Sequence, residues 1–209
     1  TEMIKKNNNS NKKQSTRGLP VWNLTDLYLS ITSKKIYLDL TYIQKASKAF
    51  EKKYEGKITK LNSKQLFKAI SDLEKIDEMM DKILSFAHLL VAENADHEKN
   101  KIFFQQMQEK MTNYSSALIF FTLELNNIEE KKLNTLLKDS HLSKFDTWIR
   151  NRRTFKPYQL SKQLEKLLQD KSITSTSAWI RLFDETIASL RFPFKDRKLS
   201  SAEILNLLS

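Results

Sequence analysis

Apolar positions from Ile36 onward recur at steps of three, four and seven: Ile36, Leu40, Ile43, Phe50 and Tyr54 share one stripe of a 3.6-residue period. That stripe predicts a helix from about Ser33 to Tyr54, with Gly56 as its stop signal. A second stripe runs through Leu66, Ile70, Leu73, Ile76, Met80, Ile83, Ala87 and Leu90. It predicts a long helix that begins at Ser63, a good N-cap residue, and stops near Asn94. The third stripe, Phe103, Met107, Met111, Tyr114, Leu118, Phe121 and Leu125, predicts one further helix opening at Asp96. So short a link between the second and third helices forces them back on each other as an antiparallel hairpin. Helices of this length predict an elongated bundle.

Beyond Glu129 the pattern shortens, to helices over roughly 129–138, 140–151, 161–170 and 175–190. Pro157 sits in the link before Ser161, where it interrupts no helix. Within "LRFPFKDRKLS" (190–200), Phe192 and Phe194 alternate with other residues and Lys195-Asp196-Arg197 can turn the chain, which predicts a small β-hairpin over 190–199. Ser200 and Glu203 then have the spacing of a capping box. The helix it starts carries Ile204, Leu205, Leu207 and Leu208 and reaches Ser209 with no stop signal. It reads as interrupted, with an apolar patch that predicts self-association through 204–208.

Composition agrees with helices. The chain has two glycines and three prolines, too few for the corners of a sheet-rich fold, so the fold class is all-α. Cysteine is absent, which removes disulfides and thiolate metal sites and suits a reducing compartment. No apolar run approaches the roughly 20 residues of a membrane span, and no apolar segment follows the N-terminal lysines as a signal peptide would require. A cytoplasmic protein without membrane contact is expected. Residues 1–18 read as a disordered basic tail, and "LPVWNLTDLY" (19–28) reads as a segment that docks the N-terminus on a helical domain spanning 19–209. The formal charge of +11 invites a nucleic-acid reading. Much of it lies in the tail and between Lys144 and Lys156, and the rest is lysine scattered among glutamates, the pattern of a solvated helix face.

Candidate chemistry is sparse. His97-Glu98 begins the H-E-x-x-H signature of zinc peptidases, but the second histidine position is Lys101, whose ammonium would repel the metal. A metal held by His88, Glu93 and His97 would need ligands converging across a flexible link, so core or surface roles are expected for these histidines and for His141. No G-x-S-x-G elbow is present, and two glycines cannot build a phosphate-cradling loop. No catalytic, cofactor-binding or metal-binding residue is therefore assigned. The best binding candidate is "TWIRNRRTFKPYQL" (147–160), where Arg150, Arg152 and Arg153 lie near Trp148, Phe155 and Tyr158. Arginine among aromatics can grip phosphate and stack on bases. The same residues can bury a tryptophan beneath a charged helix end, where cations are favoured.

Several strings, in order, resemble oligoendopeptidase F: "LPVWNLTDLY", "AFEKKYEGKI", "FFTLELNNI", "LSKQLEKLLQDKSITSTSAWIRLFDETIASLRF" and "LSSAEILNLLS". The resemblance covers about Leu19 to Ser209, and its most specific piece is "EKLLQDKSITSTSAWIRLFDET". It implies the N-terminal helical domain of a zinc metallopeptidase, one wall of a deep channel in which short peptides are cut. The zinc ligands and the water-activating glutamate would belong to a catalytic domain that this chain lacks, so the chain alone is expected to be inactive. That missing domain and, for the intact enzyme, short peptides are the partners implied. The lysine-rich tail departs from the family's pattern. A stand-alone helical interaction module and a basic nucleic-acid binder are the alternatives.

Overall fold

A computed structural model of the chain describes residues 23–94 and 97–207. The tail at 1–18, Trp22, Asp96 and Leu208 lie outside the described residues, and with them the expectations placed there. The fold is all-α apart from one small antiparallel hairpin, as the sequence predicts.

Helix α1 (Lys34–Tyr54) buries Ile36, Ile43, Phe50 and Tyr54, the face its stripe marked. Gly56, at φ +74°, then turns the chain in the left-handed region that favours glycine. The Glu124 carboxylate locks this turn, accepting hydrogen bonds from the Gly56 amide at 2.6 Å and the Ile58 amide at 3.1 Å. Helix α2 (Ser63–Glu93) is capped one residue earlier than expected. Asn62 accepts from the Gln65 amide at 2.9 Å while the Gln65 side chain accepts from the Asn62 amide at 3.1 Å, a reciprocal box. Ser63 is free to donate its hydroxyl to the Leu136 carbonyl at 3.1 Å.

Helix α3 (Glu98–Ser115) runs back along α2. Phe103 meets Phe86 with ring centroids 6.2 Å apart, and Asn100 donates to the Leu90 carbonyl at 3.1 Å. The expected continuous third helix instead breaks after Ser115, and α4 (Ile119–Asn126) starts afresh. At the break the ladder tightens, the Ala117 amide donating to the Tyr114 carbonyl at 3.3 Å and the Leu118 amide to the Ser115 carbonyl at 2.8 Å, while the Ser115 hydroxyl bonds back to the Thr112 oxygen at 3.1 Å. Such back-bonding serines bend helices. The bend sets Phe120 and Phe121 against Phe50, at 5.8 and 5.7 Å between ring centroids.

Helix α5 (Glu130–Leu136) follows, and the predicted helix over 140–151 divides into a tight turn, Leu142–Phe145, and α6 (Asp146–Arg153). Helices α7 (Lys162–Ser172) and α8 (Thr176–Ser189) lead to strands β1 (Phe192–Phe194) and β2 (Arg197–Leu199), paired Phe192 to Leu199 through Phe194 to Arg197. The Ser200–Glu203 box opens the short α9 (Ser201–Leu205) as expected. One apolar cluster extends from Tyr28 to Ile149; among the described residues beyond it only Leu199 is buried. No helix among the described residues is long and apolar enough to cross a membrane.

Candidate functional site

The three histidines do not converge. His97 caps α3, its Nδ1 accepting from the Asn100 amide at 3.3 Å, so the His97-Glu98 pair is a polar helix start. His88 lies against Phe104, with ring centroids 5.6 Å apart. His141 is exposed, its ring edge on Phe67 and its Nδ1 3.7 Å from Asp139. Among the described residues no three His, Cys, Asp or Glu side chains gather as metal ligands would. The described residues therefore offer no ligand set that fits a zinc ion.

The arginine cluster has internal work. Arg153 lies beneath the C-terminal end of α4, where helix carbonyls lack partners. Its guanidinium donates to the carbonyls of Leu125 at 2.8 Å, Asn126 at 3.3 Å and Ile128 at 3.0 Å, and to Glu130 at 3.2 Å. Arg150 reaches Asp146 at 2.6 Å, Glu130 at 3.3 Å and Asn134 at 3.1 Å. Arg152 stacks on the Trp148 ring at 4.6 Å and donates to Thr122 at 3.4 Å. Phe155 and Tyr158 stand out in solvent beside them. The sequence alternative of a tryptophan under a charged helix end is the one observed. Beside it, Asn126 is buried and donates to Gln159 at 2.8 Å, while its own Oδ1 has no hydrogen-bond partner.

The least satisfied surface lies further along the chain. On α8 the half-buried positions are Ser177, Ala178 and Arg181, so the side turned to the body is small or polar. Trp179, Phe183, Ile187 and Leu190 point away from it into water. The gap between α8 and the α2–α3 pair stays open as cavities of about 310 Å³ and about 350 Å³, with His88, Phe104 and Arg181 in the first and Asp77 and Arg181 in the second. Burial pushes the Asp77 carboxyl up; Arg152 opposes this, while Asp81 and Glu74 add to it. Helix α7 is tied to the body by polar contacts: Gln169 donates to the Thr112 carbonyl at 3.3 Å and to Ser115, and Lys162 pairs with Glu55.

Residues 124–192 match the sequence model of one family. That family is oligopeptidase F. The matched stretch runs from Glu124, which locks the Gly56 turn, through α5, α6, α7 and α8 to the first residue of β1. It contains the whole of the string Glu165–Thr186 that weighed most in the resemblance to oligoendopeptidase F, which is thereby borne out. The chain is also similar to oligopeptidase PepF of Bacillus subtilis (strain 168), 25% identical over 175 residues. That alignment takes in 80% of this chain and 25% of PepF, so the chain spans about a quarter of its curated relative's length. No solved structure matches the chain.

Sequence reasoning missed the outward face of α8. Its signal was present, since Trp179, Phe183, Ile187 and Leu190 follow helical spacing. Periodicity shows that a helix has an apolar side, and leaves open what that side faces. Of the patch expected at 204–208, Leu205 and Leu207 are exposed and Ile204 is half-buried, while Leu208 lies outside the described residues.

Proposed function

We propose that this chain is the N-terminal helical region of an oligopeptidase F-type zinc metallopeptidase, and that it supplies a wall of the channel in which the complete enzyme cuts short peptides. The observation that carries this reading is the family match across α5 to α8, which takes in α7 and α8, the matched helices with no buried residue. In this reading the zinc and the bond-breaking groups come from the catalytic part of the enzyme, which is the chain's main partner. The enzyme works in the cytoplasm, and a narrow entrance admits flexible peptides and excludes folded proteins. Residues 1–209 contribute shape and no ligand: Lys101 stands where a second zinc histidine would be needed, and His97 is a helix cap.

A second reading, a helical interaction module without peptidase chemistry, is favoured by the uncovered apolar side of α8. A nucleic-acid role draws no support from α6, where Arg150 and Arg153 are held by carboxylates, an amide and helix carbonyls. The test is metal analysis of the purified chain together with hydrolysis of a quenched fluorescent peptide. The expected result is no tightly held zinc and no cleavage. About one zinc per chain, with cleavage abolished by chelator, would overturn the assignment of the chemistry to another part of the enzyme.

A further inference from the structure

We infer that the gap between α8 and the α2–α3 pair is a binding site for a small zwitterion, an α-amino acid with an apolar side chain. The inference does not depend on the peptidase reading. The walls of the gap come from this chain itself, and its two cavities, about 310 Å³ and about 350 Å³, share Gln108, Ser177 and Arg181. Those volumes stand at the small end of the roughly 300–1,000 Å³ of ligand pockets, so the fitting occupant is a small molecule. The side-chain hydrogen bonds of α8 stay within the helix, Thr186 donating to the Leu182 carbonyl and Ser189 to the Thr186 carbonyl. Among the described residues none crosses the gap.

The charged groups that line the gap select the occupant. Asp77 and Asp81, one turn apart on α2, border the larger cavity, and neither hydrogen-bonds or ion-pairs with another described residue. Burial pushes the Asp77 carboxyl up, and Arg152, set against Asp81 and Glu74, does not restore it. A desolvated carboxylate without a donor gains much from an arriving ammonium. Arg181 lines both cavities and is likewise unpartnered, though Glu185 stands one turn further along α8. Its guanidinium suits a carboxylate. Phe104, Val91 and Ile180 give the smaller cavity an apolar wall, which Lys101 borders as a second cation. Asp184 and Glu185, also at its edge, are exposed and keep their water. An α-amino acid carries the three matching groups on one carbon: an ammonium for Asp77 and Asp81, a carboxylate for Arg181, and an apolar side chain for Phe104, Val91 and Ile180. A plain amine would set its charge against Arg181, and a fatty acid would set its own against the two aspartates.

The test is calorimetric titration of the full chain with L-leucine, beside glycine, N-acetyl-L-leucine and L-leucinamide. Glycine lacks the apolar group, and the two derivatives lack the ammonium and the carboxylate in turn. Each should bind at least about 10-fold more weakly than L-leucine. Asp77→Asn and Arg181→Gln should each weaken L-leucine by about 10-fold or more while the helical circular dichroism stays that of the wild type. A bound ligand would also bridge the gap, so saturating L-leucine should slow amide exchange in α8, and should not do so in Arg181→Gln. Three results would overturn the inference: neither heat nor slowed exchange at millimolar L-leucine, either derivative binding as tightly as L-leucine, or binding indifferent to both substitutions.

Discussion

Residues 34–153 and residues 160–207 are built from similar amphipathic helices, yet they end in opposite states. In α1 to α6 each apolar stripe finds another: Ile43, Leu66, Ile83, Phe121 and Leu142 are fully enclosed. In helices α7, α8 and α9 no described residue is buried, Leu199 of β2 alone being buried in this region, and α8 turns its aromatic side to water. Pattern alone makes a helix amphipathic, whereas a core needs a facing surface of matching chemistry. The α3 surface nearest α8 offers Lys101, Gln105 and Gln108 beside Phe104, and it meets Ser177, Ile180 and Arg181 of α8, not Trp179 or Phe183. The first region thus buries its apolar stripes, and the second leaves its apolar side in water.

The largest expected contrast is between two phenylalanines. Phe121→Ala should cost about 3–5 kcal/mol, because Phe121 is wholly enclosed beside Phe50. Phe183→Ala should change the stability of the monomer by no more than about 0.5 kcal/mol. Urea unfolding of both variants at low protein concentration measures the pair, and comparable losses would erase the distinction between the regions. Next in size is Arg153→Ala. It strips the carbonyls of Leu125 and Asn126 at the end of α4, and of Ile128 just beyond it, of a charged donor and should cost about 2–3 kcal/mol, read as a lower unfolding midpoint. Arg153→Lys should recover little, since a single ammonium cannot replace the spread of the guanidinium fork.

The helix caps give a smaller contrast. Asn62→Ala removes one half of the box that starts α2 and should lower stability by about 1 kcal/mol. Ser161→Ala removes the cap of α7, and by thermal melting it should move the main transition much less, because α7 lies outside the core. The smallest effect is electrostatic. Burial pushes the Asp72 carboxyl up, but hydrogen bonds from Lys68, Tyr54 and Lys53 outweigh it and leave the group below its ordinary value of 3.8. A carboxyl depressed on folding adds stability that is complete above that ordinary value and is lost as pH falls through the folded one. The Asp72 carboxylate joins α1 to α2, so Asp72→Asn should lower stability near neutral pH and flatten its decline in acid. Acid titrations of wild type and variant that run parallel would show that Asp72 is no such link.

Much of the body was legible because its helices are long and their stripes unbroken. Ile70, Ile76 and Ile83 could hardly belong anywhere but a core face. The break at Ser116–Leu118 was not legible, since Met111, Leu118 and Leu125 keep helical register across it. A Ser115 hydroxyl bonded back to the Thr112 carbonyl has no periodic signature. Ser63 and Asn62 are both good caps, and the choice fell to Asn62 because Gln65 stands three residues beyond it to close the box while Ser63 reaches Leu136. The arginines of α6 were visible as a cluster, but their purpose depends on the α4 end, 25–28 residues earlier in the chain, which sequence spacing does not bring near.

Hydrogen exchange, followed residue by residue at low protein concentration, tests the central claim most directly. At low concentration the amides of α8 should exchange at least about 100-fold faster than those of α2 between Ile70 and Phe86, because local opening of α8 uncovers no core. Equal protection of α8 and α2 at low concentration would contradict the account, because α8 would then have a buried home within its own chain.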